Sequence, residues 1–222
     1  MRTLIAIPCM DQVAAPFAHS LATLEKTGEC VISMNIGSLV SDARNQLTKQ
    51  ALANECDYIV WLDSDMIFPP DLIPRLIARA EEGNDIITGI YFHRRAPFGP
   101  VLYKKLRKGE PAEKYNDYPE DSFFEVEGAG FGACLVKTSV MEDVALNYGT
   151  WFSPLEGYGE DVSFCMRARE LGYKIMCDSS IKCGHVGQVT VDENVYKENF
   201  REALIKNAGN SETGASNNND GV

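Results

Sequence analysis

Short apolar runs separated by longer mixed segments set the rhythm of this chain. Residues 3–9 (TLIAIPC), 30–36 (CVISMNI), 57–62 (DYIVWL) and 85–92 (DIITGIYF) are β-rich runs of strand length. Three helices are predicted between them. The first covers 16–26 and closes near Gly28. The second covers 42–54, with Ser38 or Ser41 as a cap. The third covers 69–83, with prolines in or near its first turn and a glycine at its end. Strand and helix thus alternate, as in a parallel sheet with crossover connections. No repeat recurs at a fixed period. After Tyr91 the pattern changes to turns, charges and short β runs. Residues 123–137 read as a longer strand interrupted by small residues, and 160–175 as a helix that opens on an acidic pair and ends at Gly172, followed by a strand. CGHVG (183–187) is a glycine-framed turn. Residues 208–222 have almost no apolar content and are expected to be a disordered tail with no catalytic role. The expected fold class is α/β, with residues 1–207 forming a single domain around a central, mostly parallel sheet.

Composition narrows the function. The chain has 222 residues, 45% of them hydrophobic, enough for one ample core. Its formal net charge of −11 repels phosphate backbones and anionic lipid surfaces, so no nucleic acid backbone binding is expected. A small anionic ligand stays open, because a bound divalent cation inverts the local sign. The seven cysteines are odd in number, form no C-x-x-C, and several sit in apolar runs. They read as reduced, mostly buried thiols of a cytoplasmic protein. The run LIAI is stopped by Pro8, too short for a signal peptide or a span, and no membrane span is expected elsewhere.

YIVWLDSDM (58–66) ends a buried strand on two aspartates. If strand geometry persists, Asp63 and Asp65 face one side and Ser64 the other. That end of a strand is where open α/β sheets bind ligands. Two carboxylates ~4 Å apart repel by about 4 kcal/mol at an effective dielectric of ~20, so solvation, a shared proton or a cation must offset them. Oxygen ligands of this kind suit Mg2+ or Mn2+. The plainer reading makes Asp63 a turn residue and Asp65 a helix-start charge.

Three other stretches bear on that choice. Arg44 sits in the first turn of a helix one strand earlier, within reach of an anionic nucleotide, or it is an ordinary surface arginine. In GYGEDVSF, Glu160 and Asp161 open a helix. They serve as a cap and dipole complement, or as a general base on a glycine-flexed loop. In KCGHVG, His185 lies between glycines in a polar turn, where an imidazole completes an oxygen-rich metal site. Zinc on Cys177, Cys183 and His185 is disfavoured, because the spacing fits no zinc pattern and a fourth ligand is missing.

A first strand ending in IP, ARN in a helix, WLDSDM, GAGFGACLVK, GED opening a helix and a late H-x-G occur here in that order. Together they resemble a GT-A glycosyltransferase of the family-2-like bacterial and phage type, over roughly residues 3–190. The resemblance implies a single Rossmann-like nucleotide-diphospho-sugar transferase domain. It implies a UDP- or GDP-type sugar donor, a hydroxyl acceptor and Mn2+ or Mg2+. It maps Asp63 to ribose or metal, with Ser64 counted among the nucleotide contacts. Asp65 and His185 map to direct metal ligands, and Pro8 and Cys9 to the nucleotide pocket. Arg44 and Asp42 map to base or phosphate, and Asp161, with Glu160 beside it, to the catalytic base. One departure concerns the base: many relatives carry an acidic residue directly after the second strand, where this chain offers Asn35 and Gly37.

On this reading Asp161 takes the proton of an acceptor hydroxyl, with inversion favoured by the same analogy. Gly130, Phe131 and Gly132 line the acceptor side, or pack beside a bulge. His93, Arg94 and Arg95 lie over the diphosphate or the acceptor, or form a solvated basic loop. Trp151 stacks on an acceptor sugar, or anchors a loop. Two alternatives compete: a nucleotidyltransferase that makes nucleotide sugars, and a non-catalytic nucleotide- or sugar-binding module. The first is disfavoured because IPCMDQVAAPFAHS lacks glycine and basic side chains, the second because the acidic pair is kept.

Overall fold

Residues 1–187 and 190–198 are described by the structure, a computed structural model. The first half runs β1 (Arg2–Cys9), α1 (Ala15–Thr23), β2 (Glu29–Ile36), α2 (Val40–Ala53), β3 (Tyr58–Leu62), β4 (Met66–Ile67), α3 (Leu72–Glu81) and β5 (Ile86–Ile90). The expected strand–helix alternation is present, with the short β4 added. The second half holds β6 (Leu102–Lys105), β7 (Glu113–Lys114), β8 (Phe123–Val126), β9 (Gly128–Ala129), β10 (Ala133–Lys137), α4 (Thr138–Tyr148), α5 (Glu160–Glu170), β11 (Ile175–Lys182), β12 (Gly184–Val186) and β13 (Thr190–Val191).

The central sheet has seven strands in the order β2-β1-β3-β10-β5-β11-β8. β1 pairs in parallel with β2 and β3, and β5 with β11, whereas β10 and β8 run antiparallel to their neighbours. Strand alternation assigns the two faces. Leu4 and Ala6 of β1 join Trp61, Leu47, Val140 and Phe164 on one side of the sheet, while Ile5 and Ile7 join Phe17, Leu72, Leu76 and Leu135 on the other. In α3, Leu72, Ile73, Leu76, Ile77 and Ala80 recur at three- and four-residue spacing, and all are buried. Helices therefore cover both faces of the sheet.

Several expectations change, among them the turn read at 183–187, where Gly184–Val186 form strand β12 between β4 and β13. The long strand at 123–137 is three short ones: β8 and β10 belong to the central sheet and β9 pairs with β6 in a small separate sheet. The small residues at 128–132 mark the crossing between sheets rather than a bulge within one. α2 begins after Leu39 with no side-chain cap, and Ser41 falls inside its first turn. α4 is not anticipated, because Thr138, Val140 and Val144 are β-branched and favour strand locally. It packs Val140, Met141 and Val144 on the core and stops at left-handed Gly149 (φ 68°). The tail expected at 208–222 lies outside the described residues.

Candidate active site

β1 and β3 end side by side, and a cavity of about 580 Å3 opens beyond them. Its lining includes Pro8, Cys9, Arg44, Asp63, Ser64, Asp65, Arg94, Glu160, Asp161 and His185. These come from six separate stretches, and all were expected at the site. The turn after β1 adds Met10, Asp11, Gln12, Val13 and Ala14, with Ser38 and Val40 from the start of α2. The sequence carried no signal for these, apart from their adjacency to Pro8 and Cys9.

His185 reaches the aspartates through backbone pairing. β12 lies antiparallel to β4 with His185 opposite Met66, and the Val186 amide donates to the Asp65 carbonyl at 2.8 Å. The His185 Nε2 is thereby held 3.3 Å from Asp65 Oδ2. Its Nδ1 stands 2.8 Å from the Phe92 carbonyl, an acceptor, so Nδ1 carries a hydrogen and Nε2 faces the site. Burial works against ionisation of both groups. Their mutual attraction outweighs it, raising the imidazole and, together with Arg94, lowering the carboxyl.

Asp63 is paired differently. Arg44 is 2% exposed and donates to Asp63 Oδ1 at 2.8 Å and to Glu160 Oε1 at 3.3 Å. Its guanidinium lies 5.4–5.9 Å from the ring centres of Trp61, Phe131 and Phe152. Arg44 was expected to contact base or phosphate. It lines the cavity and ties the end of β3 to the start of α5 through Asp63 and Glu160. The charges that looked mutually repulsive in the sequence each have their own partner: the Arg44 guanidinium for Asp63, and Arg94 with the His185 imidazole for Asp65. Desolvation still raises the Asp63 carboxyl, opposed by Arg44 and aided by Asp65 and Glu160.

Asp161 sits in the first turn of α5. Among the described residues its carboxylate accepts a hydrogen bond only from the Val162 amide, at 2.7 Å. Burial, then the charge of Glu160, pushes it up to about 6, against the pull of Arg44. A Cβ on Gly159 would come within 3.0 Å of Asp161 Oδ1, so the glycine leaves room for the carboxylate.

Other expected residues are placed elsewhere. Asp42 is exposed and is not in the cavity wall. Phe131 is 1% exposed, packed against Trp61, Phe152 and Phe164. The space left by Gly130 and Gly132 is filled by Tyr91: a Cβ on Gly130 would fall 1.8 Å from its hydroxyl oxygen. These three residues therefore line the core rather than an acceptor surface. Trp151 is a loop anchor, its Nε1 donating to the Met141 carbonyl at 2.8 Å. The basic loop divides: Arg94 meets Asp65, His93 turns toward Lys114, and Arg95 is exposed. Tyr91 is a buried neighbour of the site: its ring lies edge-on to His185 with centres 5.8 Å apart, and its hydroxyl accepts from the Gly132 amide, which precedes β10.

Whether this set suits a divalent cation depends on its donors. Among the described residues, no three His, Cys, Asp or Glu side chains are close enough to hold an ion by themselves, since Asp63 is turned to Arg44. Asp65 and His185 are adjacent, and the His185 ring is oriented by a backbone carbonyl, as metal-binding imidazoles commonly are. One carboxylate and one imidazole, completed by substrate phosphate oxygens, suit Mg2+ or Mn2+. The residues present fit such an ion. Cys177 and Cys183 are buried free thiols, as are Cys9, Cys56, Cys134 and Cys165.

Over 66 residues the chain is 38% identical to the undecaprenyl-phosphate 4-deoxy-4-formamido-L-arabinose transferase of Shewanella sediminis (strain HAW-EB3). That match covers 28% of this chain and only 20% of the relative's length. The crystal structure of A197 from STIV superposes with a TM-score of 0.63 at 25% identity, covering 84% of this chain and 86% of that one. The profile of glycosyl transferase family 2 matches residues 14–136, more than half of the chain, from the turn after β1 through the aspartate pair to β10. The chain belongs to glycosyl transferase family 2.

Proposed function

We propose that the protein transfers a sugar from a UDP- or GDP-type nucleotide sugar to an acceptor hydroxyl, with a divalent cation and with inversion. One observation carries this reading. A carboxylate–imidazole pair suited to a cation and a carboxyl raised to about 6 share one cavity at the carboxyl ends of two parallel strands.

Asp65 and His185 would hold Mn2+ or Mg2+, and Arg94 would move off Asp65. When bound, the ion neutralises charge on the diphosphate as it leaves. Pro8, Cys9 and Ser64 border the nucleotide. Arg44 opposes the desolvation that raises the Asp63 carboxyl and fixes its orientation. Asp161 accepts the proton of the acceptor hydroxyl as its oxygen bonds to the anomeric carbon. The bond from that carbon to the phosphate oxygen breaks, and the nucleoside diphosphate leaves with the electron pair. A base near 6 is mostly ionised at neutral pH yet retains affinity for a proton, and this contributes ~10²–10⁴-fold. Among the described residues Asp161 accepts only from the Val162 amide, which leaves its other oxygen available for this role.

The test is incubation with UDP-, GDP-, CDP- and dTDP-sugars, with and without Mn2+. Release of free nucleoside diphosphate supports transfer, while pyrophosphate chemistry would point to a nucleotidyltransferase. Binding without turnover would leave a non-catalytic module. Asp65→Asn should abolish metal-dependent turnover without loss of the fold. Full activity in excess chelator would overturn the role of the metal.

A further inference from the structure

A second cavity, of about 810 Å3, opens beside Asp161. Its walls are the β6–β7 connection (Lys108, Pro111, Ala112) and the 155–159 loop leading into α5. Gly159 and Val162, on either side of the acidic pair, line it. The walls are joined: the Tyr158 hydroxyl lies 2.8 Å from the Arg107 carbonyl and 2.7 Å from that of Glu110. Tyr103 and Lys114 complete the lining. Glu160 and Asp161 line the first cavity while Gly159 and Val162, on either side of them in the chain, line this one, so the two cavities are neighbours at the start of α5.

Lys114 is half-buried, and its contacts are unusual for a cation. Its Nζ stands 2.6 Å from His93 Nε2 and 3.2 Å from the Tyr103 hydroxyl, and lies 4.4 Å from the Tyr103 ring centre. Both partners are neutral. Burial, then Lys114 itself, holds His93 down to about 4, and burial raises Tyr103 to about 12. Among the described residues Lys114 has no carboxylate in ion-pair contact. Glu110, also in the wall, is already paired with Lys105 at 3.0 Å, and Glu156 is exposed. An ammonium held out of water without an anion is costly. Its nearby acid, Asp161, is the group needed for the acceptor's proton.

We propose that this second cavity is the acceptor site and that Lys114 selects an acceptor carrying an anionic group, a carboxylate or a phosphate, near the hydroxyl presented to Asp161. The inference rests on the transferase reading for the word acceptor, but the binding it asserts is measured without turnover. Methyl β-glucuronide, glucose 6-phosphate and methyl β-glucoside are titrated into the protein by calorimetry. A charge-assisted contact should make at least one anionic sugar bind about ten- to a hundred-fold tighter than the neutral one. The tighter of the two anions identifies carboxylate or phosphate. Lys114→Met should remove the preference and Lys114→Arg should keep part of it, with circular dichroism verifying the fold of each. Equal binding of all three sugars, no binding of either anion at tens of millimolar, or a preference that survives Lys114→Met would overturn the proposal. Nucleoside diphosphate release is measured separately. Lys114-dependent anion binding without any release sinks the transferase reading and keeps the site, whereas release without charge preference sinks the site alone.

Discussion

Replacing Asp161 by asparagine separates what this carboxylate costs the fold from what it does in the cavity. Burial and the neighbouring charge of Glu160 raise the group from 3.8 to about 6. In the unfolded chain it returns to the ordinary value. Between those two pH values the native state binds more protons than the unfolded state, so stability falls as pH rises. The cost is absent below the unfolded value and complete above the folded one. About two pKa units at ~1.4 kcal/mol each give about 3 kcal/mol at pH 8, and roughly half of that at pH 5. Asparagine carries no charge, and its Oδ1 still accepts the bond from the Val162 amide. Asp161→Asn should therefore be more stable than the parent by about 2–3 kcal/mol at pH 8, on the order of 5–10 °C in melting temperature for a chain this size. The advantage should shrink steadily toward pH 5. Urea denaturation at four pH values between 5 and 8 measures it. The same variant should lose turnover by ~10²–10⁴-fold while still binding nucleotide. A variant less stable than the parent at pH 8, or an advantage independent of pH, would refute the argument. Both results would mean that the carboxylate is not held in a desolvating, acidic setting.

Three further outcomes follow from the same geometry. Arg44→Met leaves Asp63 and Glu160 without their shared buried cation and should cost about 3–5 kcal/mol in urea unfolding; a loss under 1 kcal/mol would place the guanidinium outside the support of the site. Gly130→Ala puts a methyl group against the Tyr91 hydroxyl and should destabilise by about 1–3 kcal/mol, with Tyr91→Phe in the same chain recovering part of the loss. Arg94→Ala removes the side chain that holds Asp65, so half-maximal thermal stabilisation by Mn2+ in the absence of nucleotide should need several-fold less metal; an unchanged or higher requirement would show that Arg94 does not compete for Asp65.

That Asp63, Asp65, Glu160, Asp161 and His185 gather at one cavity was legible because each is a polar residue at the end of an apolar run, at a helix start or framed by glycines, even though a turn or a cap would explain each one singly. Arg44 shows the limit of that logic. Its place near the site was readable, but its direction was not, because whether a helix arginine points into the core depends on what surrounds it. Here Trp61, Phe131 and Phe152, from three distant stretches, form its surroundings. Gly130 and Gly132 looked like room for a sugar and are room for Tyr91, more than thirty-five residues away in the chain. Lys114 carried no signal at all, since an isolated lysine in a charged loop resembles any solvated one.

The alternation of short apolar runs and helical segments was enough, by itself, to determine an α/β chain with parallel strands, because side-chain periodicity is a local property that burial selects at every residue. Which strands are neighbours was decided by the tertiary structure. β10 inserts antiparallel between β3 and β5, and β12 pairs with β4 to bring His185 beside Asp65. Partner choice between segments so far apart in the chain depends on which faces remain to be covered once the rest has packed, and no local pattern records that.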